Sequence, residues 1–455
     1  MRNGKGMRFR FQTSKLGVRL VLSGAILLGP GLGLTAPAKK SLDRTEDFIL
    51  FTGEKVPALI GSETRDLHLY VCSGHGFRAV PFQVDKRDPE GRYVCPNEKS
   101  RDPLRDGTRL DQNDELVFMV KDAGDSCPET PWPEAAVKGV ELELADPLDA
   151  GRAWVYLFDQ PGAKAPETPD YVSYRVENSH ETIQTDLYEF GQPLGVTYAD
   201  FLRLRRPDRT WSPNLLNRTV MGMRARMLNG AIPIHVPEQE IKTVILGAID
   251  GPVRVIWDEL DLVKIKSVGL EWSTEYWVTY YANGHLTPVD INVPFTLRKV
   301  FLSIGFYWAM DFAPAMRGAI FHSPANPKGI PLDGKPHPEV DTEHDNPYLV
   351  IAGPQGAMLQ VLVFDDYLSQ HLVRTTMVRE NLPRSEAAKN QTSDLLSGFW
   401  FKNTDRLDKG TYHYQFYHYY PFPYSEAKVK ELLDLVQHPL GLSAHPLSPP
   451  ADERR

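Results

Sequence analysis

From about residue 46 the apolar positions come in short runs broken by turn residues. Phe48-Ile49-Leu50-Phe51 stops at Thr52-Gly53, and further runs follow at 67–71, 78–84 and 115–120. Val140-Glu141-Leu142-Glu143-Leu144 alternates strictly, as a strand with one face buried and one face wet requires. Trp154-Val155-Tyr156-Leu157-Phe158 comes next. Short strands at this spacing, with no helical pattern between them, predict an antiparallel sandwich.

A Pro-rich stretch at 160–169 interrupts the pattern and has the composition of a linker. It places a domain boundary near residue 165. Beyond it the strands are longer and more aromatic, at 243–248, 252–257, 260–265, 271–281 and 358–364. Asp250-Gly251 and Asn283-Gly284 fall between such runs, and Asn-Gly is a strong hairpin signal. One helix is expected near the C-terminus. Ser425 is placed to cap it, and Ala427, Val429, Leu432, Leu433 and Val436 recur at helical spacing until His438-Pro439. The expected fold is all-β, with two β-sandwich-type domains and a short C-terminal helix. The expected divisions are a signal peptide at 1–38, an N-terminal sandwich at 39–165, a larger supersandwich-like domain at 166–440 and a disordered tail at 441–455.

The first 38 residues change the picture of where the chain works. Arg2, Lys5, Arg8, Arg10, Lys15 and Arg19 stand without an acid, residues 20–34 are apolar or small, and Ala36-Pro37-Ala38 follows. That is the order of a cleaved signal peptide, so a periplasmic or secreted location is expected. Removing it leaves 45 basic residues against 59 acidic, a net charge of −14. Such a balance argues against nucleic acid as a partner. The longest later apolar run, 300–310, has 11 residues, too short for a transmembrane helix in the mature chain.

Three cysteines remain, Cys72, Cys95 and Cys127. An odd count in an oxidising compartment implies one disulfide and one thiol. Cys95 and Cys127 each precede a proline in a loop-like setting, so these two are the expected pair; the other pairings stay open.

Candidate chemistry is sparse. Asp111, Asn113 and Glu115 stand at alternate positions, with Asp122 and Asp125 close behind. Alternate oxygens of this kind can wrap one face of a Ca²⁺ ion, so Ca²⁺ is the candidate cofactor, although the EF-hand pattern is absent. On a strand, Tyr412, Tyr414, Phe416, His418 and Tyr420 share one face. That stripe is either a sheet core or a surface on which sugar rings stack; Trp272 and Trp277 pose the same alternative.

Pro81-Phe82-Gln83-Val84-Asp85, the run Leu110-Asp111-Gln112-Asn113-Asp114-Glu115-Leu116-Val117-Phe118, and Asp250-Gly251-Pro252-Val253-Arg254-Val255 resemble segments of exported bacterial β-sandwich proteins. Those proteins are associated with rhamnogalacturonan-lyase-like, carbohydrate-active domains. The resemblance covers roughly 50 of the 455 residues and implies fold and export; no catalytic residue of that family maps onto this chain.

No GxSxG, P-loop or GxGxxG motif occurs. The leading expectation is therefore a non-catalytic extracytoplasmic binding or scaffold protein. The alternative is a carbohydrate-active protein, a polysaccharide binder, lyase or hydrolase, with an aromatic groove carrying Trp272, Trp277, Tyr412, Tyr414 and His418. A polysaccharide or a protein is the expected partner.

Overall fold

A computed structural model describes residues 8–10 and 38–449, apart from 74–75, 97–106, 128–129, 197, 228–229, 237–240, 266–269, 294, 336, 338–339, 342 and 379–394. The expected signal peptide therefore lies almost entirely outside the described residues. The chain is all-β. Among the described residues its strands form five sheets, with only the helices Asp366–His371 and Glu426–Gln437 of α type.

The chain divides into two compact units, one of residues 14–170 with 432–455 and one of 1–13 with 171–431. In the first, the strands Phe48–Thr52, Glu115–Met119 and Gln83–Asp85 make a three-stranded sheet. A five-stranded sheet runs in the order Gly441–Pro446, Lys138–Ala145, Arg152–Asp159, Leu67–Ser73 and Gly76–Val80. The alternation at 140–144 is realised: Val140, Leu142 and Leu144 are buried while Glu141 and Glu143 are not. They meet Ile49, Phe51, Leu116 and Phe118 in one core between the two sheets.

The expected disordered tail needs correction. Residues 441–446 form a strand paired with Lys138–Ala145. The physical reason is that Leu442 and Ala444 fall on one face of that strand and pack on the core, with Leu440 beside them.

The larger unit is built on a sheet in the order Ile241–Asp250, Arg254–Ile265, Leu270–Tyr281, Gly284–Val293, Gly410–Phe422, Gly356–Phe364, Tyr348–Gly353, Ile320–Ser323 and Asn326–Pro331. Arg8–Arg10 pairs parallel to Leu270–Tyr281. The Asn-Gly signal marks a real hairpin, since Tyr281 is the register partner of Gly284. A second sheet runs Ile232–Val236, Leu216–Met227, Phe301–Phe312, Leu396–Lys402 and Val373–Val378. A third runs Phe201–Leu204, Tyr188–Pro193, His180–Thr185 and Val172–Glu177. Side chains from all three share one core that includes Tyr188, Leu202, Leu204, Trp257, Tyr280, Phe312, Phe399, Phe416 and Tyr420. Two glycines make room in the second sheet. A Cβ on Gly222 would lie 2.4 Å from Tyr307 Oη, and one on Gly305 would lie 2.8 Å from the Trp400 ring. Those rings cross the glycines and stack on each other 5.5 Å apart.

The C-terminal helix begins as the sequence predicts. Ser425 Oγ accepts from the Lys428 amide at 3.1 Å, and Val429, Leu432 and Leu435 are buried.

Candidate functional site

The aromatic stripe on Gly410–Phe422 is core. Phe416, His418 and Tyr420 are buried because this strand lies mid-sheet and this face meets the other two sheets, and Tyr412 is buried against Leu368, Leu372 and Leu407. Tyr412 donates its hydroxyl to the Asp408 carbonyl, and Tyr414 packs between Phe364 and Phe401. Tyr412, Tyr414 and His418 are therefore not an open binding surface. Trp277 is half-buried beside Asp258 on the opposite face of the sheet, where the buried Arg254 donates to Tyr281 Oη at 3.3 Å. Trp272 lies on the same strand, but its side chain is outside the described part.

Several of the candidate calcium ligands have other partners in this structure. Asp111 Oδ1 accepts from the amides of Asn113 and Asp114, and its other oxygen faces Lys86. Asn113 donates to the Asp88 carbonyl, and Glu115 takes Arg87 and the Tyr93 hydroxyl. Asp122 sits in the 3-10 turn Val120–Asp122, and Asp125 is held by Lys39 and the Lys40 amide. The oxygens of Asp111, Glu115 and Asp125 serve turns and cations at separate places. Among the described residues, no group of three or more His, Cys, Asp and Glu side chains is arranged around a metal position.

The disulfide joins Cys72 to Cys127, not Cys95 to Cys127. Cys72 pairs through its backbone with Asp125, which brings the segment carrying Cys127 alongside, while Cys95 is buried elsewhere in the same unit. Loop composition ranked the cysteines wrongly because register decides which two approach.

A cluster of arginines and aromatic rings lies on the outer face of the four-stranded sheet. Along Phe201–Leu204 burial alternates: Leu202 and Leu204 enter the core, so Phe201 and Arg203 face outward. The chain keeps this phase to Arg205, then turns at Pro207-Asp208-Arg209. Asp208 closes the turn by accepting from the Thr210 amide at 2.9 Å and its hydroxyl at 2.6 Å. Those bonds, the hydroxyl's first, hold its carboxyl below the usual range. Arg209 takes a left-handed φ of 67°, and Trp211 returns opposite Arg205.

The result is an indole flanked by two guanidiniums. Arg205 Cζ stands 4.7 Å from the Trp211 ring centroid and Arg203 Cζ 5.6 Å. Arg203 is further fixed by the Ser212 carbonyl at 3.0 Å and by Glu189 at 3.2 Å. Arg206 donates to Gln355 Oε1 at 2.6 Å. Nearby, His180 and Asp200 pair at 2.8 Å, and the Phe201 ring meets the His180 ring edge-on. Among the described residues Arg205, Arg206 and Arg209 form no ion pair with a carboxylate. Arg203 Nε and Nη1 are taken by Ser212 and Glu189 and Arg205 Nε is buried, so an oxyanion here would be gripped by the remaining guanidinium N–H groups. Sequence reading passed this site over. Four arginines between 203 and 209, in a chain of net charge −8, were the available signal.

No family model matches the chain, and no curated protein matches it. Solved structures resemble it in outline, two of them as follows. One is described as a protein in the glycosyl hydrolase family 38 from Enterococcus faecalis, with a TM-score of 0.44, 9% identity, and coverage of 91% of this chain and 47% of that one. The other is an alpha-mannosidase from Enterococcus faecalis V583, with a TM-score of 0.44, 9% identity, and coverage of 90% and 46%. The chain spans about half the length of these structures. One is described as a glycosyl hydrolase family 38 protein and the other as an alpha-mannosidase; neither is described as rhamnogalacturonan-lyase-like, the family that the sequence resemblance named.

Proposed function

We propose that this chain is an exported, non-catalytic binding protein whose ligand is an acidic polysaccharide, held at Arg203, Arg205 and Trp211. One observation carries the reading: two guanidiniums are organised on a half-buried tryptophan, on an outward sheet face, in a chain whose overall charge is negative. A negative protein that concentrates cations at one place discriminates in favour of anions there while repelling them elsewhere. Phe201, half-buried on the same face, offers an apolar surface to a sugar ring. Export is supported by the Cys72–Cys127 bridge, since disulfides persist in oxidising compartments, and by the basic and then apolar N-terminal pattern. Outside the cytoplasm, carboxylated or sulfated glycans are the abundant polyanions.

The test is calorimetric titration of the purified protein with polygalacturonate, alginate and a neutral dextran, at two salt concentrations. Saturable binding of the acidic polymers that weakens with salt is expected. An Arg205→Gln, Arg209→Gln variant should bind about tenfold or more weakly, the scale of lost charge-assisted hydrogen bonds. Equal affinity for dextran would sink the acidic class, and release of shortened sugars would sink the non-catalytic part.

A further inference from the structure

Three buried side-chain atoms in the core of the larger unit have no hydrogen-bond partner among the described residues: His418 Nδ1, Gln360 Oε1 and Ser397 Oγ. Their residues are only 2%, 2% and 1% exposed. They are also neighbours. His418 and Gln360 are register partners on the large sheet, so their side chains rise side by side toward the core. Ser397 and Met310 are register partners on the facing sheet. Gln360 Nε2 donates to Met310 Sδ at 3.2 Å, which brings the two pairs together, and the Trp308 ring lies 5.1 Å from the His418 ring.

Burial of one unsatisfied polar atom is costly, and three around one methionine require a common explanation. Exchanging O and N of the Gln360 amide does not supply it, because only one of the two atoms can face Met310. Either tautomer of His418 leaves Nδ1 as a donor or an acceptor in need of a partner. We infer that an ordered water occupies this position and bridges His418 Nδ1 to Gln360 Oε1, with Ser397 Oγ as its third partner from the facing sheet. Water is the ligand class that fits: it is small, it both donates and accepts, and about three partners is its usual number in protein interiors. The two sheets are then tied by a hydrogen-bonded bridge inside an otherwise apolar and aromatic core.

A crystal structure at a resolution that shows ordered solvent tests this directly. A density peak within about 3 Å of His418 Nδ1 and Gln360 Oε1 is expected. In solution, Gln360→Leu should shift the unfolding equilibrium about tenfold toward the unfolded state by stranding the water. Gln360→Leu combined with His418→Phe should recover most of that loss, since removing both partners removes the need. A peak-free site with His418 and Gln360 bonded to each other would overturn the inference, as would single-variant losses that simply add in the double variant.

Discussion

His285 and His418 lie face to face on neighbouring strands, their ring centroids 4.1 Å apart and their planes 19° from parallel. Phe190, Tyr280, Tyr420, Trp308 and Phe416 surround the pair, and Tyr420 Oη shares a hydrogen bond with His285 Nδ1 at 3.2 Å. Burial holds His285 down to about 3; burial, and then the charge of its neighbour, holds His418 well below 6.5. Both rings are neutral in the fold.

This makes the protein sensitive to mild acid. Both rings titrate near 6.5 when unfolded, so below that pH the unfolded state binds more protons. Stability that is full above pH 6.5 is lost as the pH falls toward the folded values, by roughly 1.4 kcal/mol per pH unit for each ring. Between pH 6.5 and pH 5 the pair should cost on the order of 3 kcal/mol. Glu181, whose carboxyl is raised mainly by burial, works in the opposite direction, so the informative quantity is a difference. Denaturant melts of the protein and of a His285→Gln, His418→Gln variant should converge as the pH falls. Parallel stability curves would show that the rings do not carry the effect.

The Cys72–Cys127 bridge gives a second prediction. It closes a loop with a sequence separation of 55. On the chain-entropy account such a loop contributes about 4 kcal/mol. Cys72→Ser and Cys127→Ser should each lower stability by an amount of that order, and combining them should add little. Peptide mapping without reduction should yield a linked pair containing residues 72 and 127. A linked pair containing Cys95 instead would refute the register argument.

The fold class was readable because period-two alternation is local: 140–144 declares its buried face within five residues, and Asn283-Gly284 declares its turn within two. What joins distant segments was not. Nothing local says that 441–446 returns to pair with Lys138–Ala145, or that Asp125 aligns with Cys72. The stripe at 412–420 was visible, but its meaning depended on which sheets cover it. The candidate site shows the same limit. Its arginines are close in sequence, yet only the turn at 207–209 lays Trp211 against Arg205.

Calcium gives a third prediction. With Asp111, Glu115 and Asp125 held by backbone amides and cations, millimolar Ca²⁺ or a chelator should move the melting temperature by less than about 1 °C, because a ligand that does not bind the native state cannot stabilise it. A saturable upward shift with Ca²⁺ would mean that these groups exchange partners for the ion.

The segments that resemble carbohydrate-associated proteins give the fourth. Two of them, 81–85 and 110–118, belong to the N-terminal unit and flank an ion-pair network there. Lys86 Nζ reaches Asp114, Asp111 and the Arg109 carbonyl, while Arg87 joins Glu115 and covers the Tyr93 ring at 3.9 Å. Asp114 is fully buried, and burial, partly offset by Lys86 and two amides, raises its carboxyl above the usual range. An apolar group in place of Lys86 would leave that carboxyl without its cation. Breaking a buried pair in this way costs about 3–5 kcal/mol, more than the pair itself adds. Lys86→Met should therefore destabilise strongly, and Lys86→Met with Asp114→Leu should recover much of the loss. Neither change should alter glycan affinity in protein that remains folded, because these residues support the N-terminal sandwich and the arginine–tryptophan site belongs to the other unit. A large affinity change with unchanged stability would instead make the Lys86 and Asp114 network a ligand site.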